Sequence, residues 1–258
     1  MKLKFNKYHG VGNDFIIIDG VSNRINLTTQ RIKEMCDRHL GIGADGLMII
    51  EQSDDFDFSM VYYNSDGNEG SMCGNGGRCI VDFAGKMGMI STTTTFEAID
   101  GIHEAEILEN GLIKLKMRDV ATVKNYEDGT FIDTGSPHFV KRVPDISTVD
   151  VDIEGKKYRY DTRFLPDGTN VNFYSIKNNE VFARTFERGV ETETLSCGTG
   201  AVAVGLVVIY KNLLDTTKIL INTLGGKLQV ECENHNQSYT NIYLTGPVVK
   251  VFDGVYCL

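Results

Sequence analysis

Cys73-Gly74-Asn75-Gly76-Gly77-Arg78-Cys79 runs into the apolar residues Ile80, Val81, Phe83 and Ala84, and Cys197-Gly198-Thr199-Gly200-Ala201 runs into Val202, Ala203 and Val204. Both stretches read Cys-Gly-x-Gly, and both open a segment with the composition of a buried helix. The first helix is expected to begin at Cys73 and end near Met87, with Gly88 as its stop, and the second, more apolar one to begin at Cys197. The neighbourhoods match as well. Gly12-Asn13-Asp14-Phe15-Ile16 precedes Cys73 by the same number of residues, to within one, as Gly135-Ser136-Pro137-His138-Phe139 precedes Cys197, and each is a glycine turn feeding an apolar strand. Asn64 lies nine residues before Cys73 and Glu187 ten before Cys197, each a polar group at an expected strand end. The chain reads as one unit duplicated, whereas a solenoid would need three or more copies at a shorter period.

Around these helices, β-type runs at 3–8, 15–19, 47–51, 56–63, 95–99 and 112–117 make the first half strand-rich, and runs at 139–142, 171–176, 181–186, 219–222, 228–231 and 241–244 repeat the theme. Residues 28–40 place Ile32, Met35, Cys36 and Leu40 at helical spacing behind Thr28, a cap residue. The polar segment 119–128 is the expected connection. The fold class that follows is α+β with two pseudo-symmetric lobes, a first over 1–118 carrying the Cys73 loop and a second over 119–246 carrying the Cys197 loop. Ligand sites favour the interface of such lobes.

The 258 residues, 41% hydrophobic and 24% charged, suffice for a sizeable core. A formal net charge of -9 with scattered lysines and arginines argues against nucleic acid and anionic membranes as partners, since both need a basic face. The positive N-terminus has no signal-length apolar stretch behind it, and the longest apolar run, 201–210, is about half of what a spanning helix requires. A cytoplasmic protein is expected, with its six cysteines reduced.

A cysteine at a helix start meets unpaired N–H groups and the positive end of the helix dipole, worth about 0.3 to 1 kcal/mol per charge. Such a position favours a thiolate and lets a substrate carboxylate bind the neighbouring amides. One loop of this kind suits a nucleophile. Two suit removal of a proton from one face of a carbon and its return on the other, which inverts the centre. Zinc is excluded on spacing, as no Cys-x-x-Cys occurs, and no metal is expected. The Gly10-x-Gly12 and Gly41-x-Gly43 pairs lack the form of a phosphate or dinucleotide loop and read as turns. Cys36, Cys79, Cys232 and Cys257 read as core residues. Taken alone, His138 reads as a surface or capping histidine, Glu187 as a strand-end charge, and Asp14, Asp45 and Asp66 as turn residues.

Together, the motifs His9-Gly-Val-Gly-Asn-Asp-Phe15, Asn64-Ser-Asp-Gly67, Met72-Cys-Gly-Asn-Gly-Gly-Arg-Cys79, Glu187-Arg-Gly189 and Ser196-Cys-Gly-Thr-Gly-Ala201 resemble the diaminopimelate epimerase family over nearly the whole chain. The ending Thr245-Gly-Pro-Val-Val-Lys-Val-Phe-Asp-Gly254 resembles the family's C-terminus, which implies that 247–258 return to the first lobe. The resemblance implies mixed, barrel-like sheets around central helices. It implies epimerisation of LL- to meso-2,6-diaminopimelate without pyridoxal phosphate or metal, in lysine and peptidoglycan synthesis, by a homodimer. It also implies Cys73 and Cys197 as the acid/base pair, His138 and Glu187 as assistants, and Asn13, Asn64, Gly74, Asn75, Asn170, Glu187, Arg188, Gly198 and Thr199 as substrate contacts. Arg188 offers a bidentate fork to a distal carboxylate.

The chain departs from the family's pattern at Ser136, where an asparagine is usual, at Gly46, where many members carry glutamine, and in a loop after Glu187 longer by one residue, which contains Glu191 and Glu193. Three other readings compete: a racemase of another amino acid on the same fold, a thiol–disulfide protein, and a module that binds an amino acid without chemistry.

Overall fold

The structure, a computed structural model, describes residues 2–22, 25–235 and 238–257. They form two compact units, Met1–Leu115 with Gly246–Leu258, and Lys116–Thr245.

The first unit contains β1 (Lys2–Gly10), β2 (Asn13–Asp19), α1 (Thr29–Cys36), β3 (Gly46–Glu51), β4 (Phe58–Asn64), α2 (Gly74–Met87), β5 (Thr93–Ala98), β6 (Gly101–Ile107) and β7 (Ile113–Lys116). The second contains β8 (Val123–Tyr126), β9 (Gly129–Asp133), β10 (Pro137–Arg142), α3 (Val151–Arg159), β11 (Asn170–Lys177), β12 (Glu180–Glu187), β13 (Thr192–Thr194), α4 (Gly198–Tyr210), β14 (Lys218–Thr223), β15 (Gly226–His235) and β16 (Ser238–Gly246). The final strand, β17 (Val249–Cys257), pairs antiparallel with β1 and so belongs to the first unit.

The duplication is visible strand by strand. In the first unit β1–β2 is antiparallel, β2–β3 parallel across α1, β3–β4 antiparallel, β4–β5 parallel across α2, and β5–β6–β7 antiparallel. In the second, β9–β10 is antiparallel, β10–β11 parallel across α3, β11–β12 antiparallel, β12–β14 parallel across α4, and β14–β15–β16 antiparallel. The order and the sense of pairing are the same.

Each unit is a mixed sheet covered on both faces, so its inner strands read as continuous apolar runs. Ile16 and Ile18 of β2 pack with Ile32, Met35 and Cys36 of α1 on one face. On the other, α2 packs against β1, β2, β3 and β6 with ten of its 14 residues buried, including the whole run from Gly74 to Val81. The second unit buries Phe139, Val171, Phe173 and Phe186 with Val151 of α3, while α4, apolar on every side, is enclosed by β9–β12, β14 and β15. Gly155 of α3 allows that approach, since a Cβ there would lie 2.4 Å from Phe186.

Local signals account for the helix ends. Thr28 caps α1 through Arg31 N–H, and Gly88, at φ 75°, ends α2 in the left-handed conformation. The expected continuation of α1 to Leu40 does not occur. The Asp37 carboxylate instead accepts the amides of His39 and Leu40, turning the chain out of the helix, and Leu40 is exposed. The segment 119–128 contains β8, and β6, β9, α3, β13 and β17 have no counterpart among the expected elements.

Candidate active site

Cys73 is the N-cap of α2, and its sulfur accepts the Gly76 N–H at 3.1 Å, where a serine or aspartate oxygen would sit at an ordinary cap. The loop fits closely, as a Cβ at Gly76 would stand 3.1 Å from that sulfur and 3.3 Å from Met48 Sδ. The thiol also reaches Asn13 Oδ1 at 3.9 Å, an oxygen that accepts from Asn75 Nδ2 at 3.3 Å. Asn13 Nδ2 in turn donates to Asp45 at 2.7 Å. Behind Asn75 lies Arg78, fully buried, whose guanidinium donates to Asn75 Oδ1 at 2.8 Å and to the Gly74 carbonyl at 2.9 Å. Burial pushes the guanidinium down to about 10, a shift that negative charge on Cys79 or Cys73 would oppose.

Cys197, the N-cap of α4, makes no capping bond to the first turn, and its sulfur lies 3.4 Å from Thr199 Oγ1. Thr199 Oγ1 is 3.0 Å from His138 Nε2 and 3.1 Å from Ser136 Oγ, and Ser136 Oγ is itself 3.0 Å from the same imidazole nitrogen. His138 is completely buried, contrary to its surface reading, because parallel pairing with β11 carries β10 into the interior. Burial, with the charge of Arg188 in second place, lowers it to about 3, so the ring is neutral at physiological pH. Sequence reasoning missed Asn172, whose Nδ2 lies 3.0 Å from His138 Nδ1. The available signal was Asn170-Val171-Asn172, two amides two residues apart in an otherwise apolar strand.

The expected catalytic and substrate-contact residues fall mostly into these two groups. Asn13, Cys73, Gly74 and Asn75 come together in the first, and His138, Asn170, Arg188, Cys197, Gly198 and Thr199 in the second. Asn64 ends β4 opposite Gly46. Glu187 ends β12, its carboxylate accepting from Thr194 Oγ1 at 3.0 Å. The Asn170 amide donates to the Pro137 carbonyl at 2.9 Å and accepts the Arg188 N–H at 2.8 Å, fixing the turn that carries Arg188.

Glu191 and Glu193, in the longer loop, bind within their own unit, Glu191 to Arg159, Tyr160 and the Gly189 amide, and Glu193 to Arg184. Asp66 accepts the Asn68 N–H in a turn. Asp14 corrects its turn reading: it lies in β2, and although burial opposes it, hydrogen bonds from Arg38 and Lys7 hold its carboxyl down at about 2. Cys36, Cys79 and Cys232 are buried, and burial pushes their thiols up. Cys257 is exposed, against its core reading, because β17 lies at the sheet edge outside β1. Among the described residues, no group of three or more His, Cys, Asp or Glu is placed to hold a metal, and no helix is long and apolar enough to cross a membrane.

The family model described as diaminopimelate epimerase matches residues 5–123 and 130–251. The chain is 47% identical to the diaminopimelate epimerase of Flavobacterium psychrophilum, over 97% of its own length and 99% of the relative's. It is 40% identical to that of Chlorobaculum tepidum, over 96% and 99%. Among solved structures it resembles the PhzF-family phenazine biosynthesis protein of Bacillus anthracis at a TM-score of 0.81 and 14% identity, covering 100% of both chains. It also resembles a hydroxyproline epimerase from Agrobacterium vitis at 0.71 and 13%, covering 100% of this chain and 93% of that one. The fold is thus the two-lobed α+β fold shared by these proteins.

Proposed function

The chain belongs to the diaminopimelate epimerase family, and from that premise we infer that it interconverts LL- and meso-2,6-diaminopimelate in lysine and peptidoglycan synthesis, without pyridoxal phosphate. The observation that carries the mechanism is a cysteine at the N-cap of the buried helix in each unit. Inversion needs a base on one face of the α-carbon and an acid on the other, and each unit supplies one thiol. A thiolate is favoured where helix amides converge, and the N–H groups of Gly74, Asn75, Gly198 and Thr199 lie in the first turns, where a carboxylate gaining charge in the transition state would be held. Glu187 and His138 assist the proton transfers, His138 as a neutral ring. Arg188 and Asn64 are assigned to the distal amino-acid end, which distinguishes diaminopimelate from a single-centre amino acid.

We assign the protein to the cytoplasm, as a homodimer, on the resemblance; light scattering on the purified protein tests the oligomeric state. The reaction is tested by proton NMR of LL-diaminopimelate in deuterium oxide with reduced enzyme beside Cys73→Ala. Exchange at one α-carbon with conversion to the meso form, abolished in the variant, is expected. Exchange with another amino acid but not with diaminopimelate would keep the chemistry and replace the substrate, and the absence of exchange with any would overturn both.

A further inference from the structure

Equivalent positions of the two units differ in one telling place. Phe15 faces Gly46 in the β2–β3 pairing as His138 faces Asn170 in the β10–β11 pairing, and two residues along, Ile17 faces Met48 as Val140 faces Asn172. Where the first unit buries a phenylalanine and a methionine beside its cysteine, the second buries a histidine and an asparagine. The framework accepts an apolar pair at this place, so the polar pair in the second unit answers a need other than folding. Burying polar groups is unfavourable unless each finds a partner.

Those partners fix direction. The Asn172 side chain also approaches the Phe139 carbonyl at 3.4 Å, and a carbonyl only accepts, so the atom on that side is the amide nitrogen. The Thr185 hydroxyl donates to Asn172 Oδ1 at 2.9 Å from the opposite side. The nitrogen 3.0 Å from His138 Nδ1 is therefore a donor, and Nδ1 must accept. The ring proton then sits on Nε2, which faces the hydroxyls of Thr199 and Ser136. With its oxygen accepting from Nε2–H, Thr199 keeps its own proton for Ser136 Oγ at 3.1 Å or the Cys197 sulfur at 3.4 Å, and of the two an ionised sulfur is the stronger acceptor. The opposite tautomer would draw the Thr199 proton to Nε2 and leave that sulfur without this donor. Gly200 leaves room for the arrangement: a Cβ there would lie 2.5 Å from Asn172 Oδ1 and 3.3 Å from the Cys197 sulfur.

We propose that Asn172 is a positioning residue that holds His138 in its Nε2–H tautomer, so that the Thr199 hydroxyl donates to Cys197 and stabilises its thiolate. The proposal rests on the assignment of Cys197 and His138 to the proton transfers, but it can be read without substrate. The charged group nearest in effect to the ring is Arg188, which disfavours the imidazolium and so works in the same direction.

The first test is long-range nitrogen-15 NMR of histidine-labelled enzyme, with the His138 signals assigned by His138→Gln. Protonated Nε2 and unprotonated Nδ1 from pH 6 to 8 are expected, and a proton on Nδ1 would overturn the proposal. The second is Asn172→Met, which installs the residue of the first unit. Its alkylation at Cys197, followed by peptide mass against pH, should move to higher pH, and kcat on diaminopimelate should fall at least about tenfold with little change in KM. An unchanged alkylation profile would overturn the proposal. The tautomer measurement uses the unmodified protein and decides even if the variant does not fold, and a wild-type enzyme inactive on diaminopimelate would count against the substrate and not against the tautomer.

Discussion

Phe15 and His138 occupy the same register position in the two units, one facing Gly46 and the other Asn170 across a parallel strand pair, and both are completely buried. The same backbone thus carries an inert ring in one copy and a titratable one in the other.

The buried imidazole ties stability to pH. Its folded value of about 3 lies below the 6.5 of an exposed ring, so in acid the unfolded chain takes up the proton first. This contribution is fully present above about 6.5 and is lost as pH falls toward 3, by about 1.4 kcal/mol per unit. Urea denaturation at pH 7 and pH 5 should show that His138→Gln loses less stability over this interval than wild type, by about 2 kcal/mol. Equal losses would mean that the ring is charged in the fold.

The cysteines should separate by reactivity. Iodoacetamide at pH 8, followed by peptide mass mapping, should label exposed Cys257 whether or not diaminopimelate is present. Labelling of Cys73 and Cys197 should be suppressed by diaminopimelate. Buried Cys36, Cys79 and Cys232, whose thiols burial pushes up, should remain unlabelled until the protein unfolds. Substrate protection of Cys257 instead would misplace the site.

Gly46 cannot simply revert to the glutamine common in the family. A Cβ there would stand 2.5 Å from the Tyr62 ring and 2.7 Å from the Tyr63 carbonyl oxygen. Gly46→Gln should cost about 1–3 kcal/mol in chemical denaturation, as overpacking does. Adding Tyr62→Ala should not restore wild-type stability, because the Tyr63 carbonyl remains in place. A stable single variant would show that both the Tyr62 ring and the Tyr63 backbone yield easily.

Arg78 is the buried support of the first cysteine loop. Arg78→Met should lower stability by about 1–3 kcal/mol, since the Gly74 carbonyl and Asn75 Oδ1 each lose a charged donor. Turnover should fall beyond what the loss of folded protein explains, because Asn75 shares Asn13 Oδ1 with the Cys73 thiol. Full activity per folded molecule would reduce Arg78 to a packing role.

Much of the scaffold was legible because its signals are local. Thr28, Cys73 and Gly88 mark helix ends through bonds to residues three or four positions away, and short-range chemistry is written in short-range sequence. The strands with continuous apolar runs were equally plain. By contrast, β6 holds polar and exposed residues such as Glu104 and Glu106, and α3 has only Val151 and Gly155 buried, so neither stands out by periodicity.

By itself, then, the sequence determined the duplication, the two cysteine-headed helices and, through its motifs, the family. Only the tertiary structure decided which polar groups meet. His138 reaches Asn172 across 34 residues and Thr199 across 61, contacts that exist because parallel strand pairing returns the chain to one place after each helix. It also decided that His138 is buried and Cys257 exposed. Burial belongs to the whole packed unit, and neither residue type nor its immediate neighbours specify it.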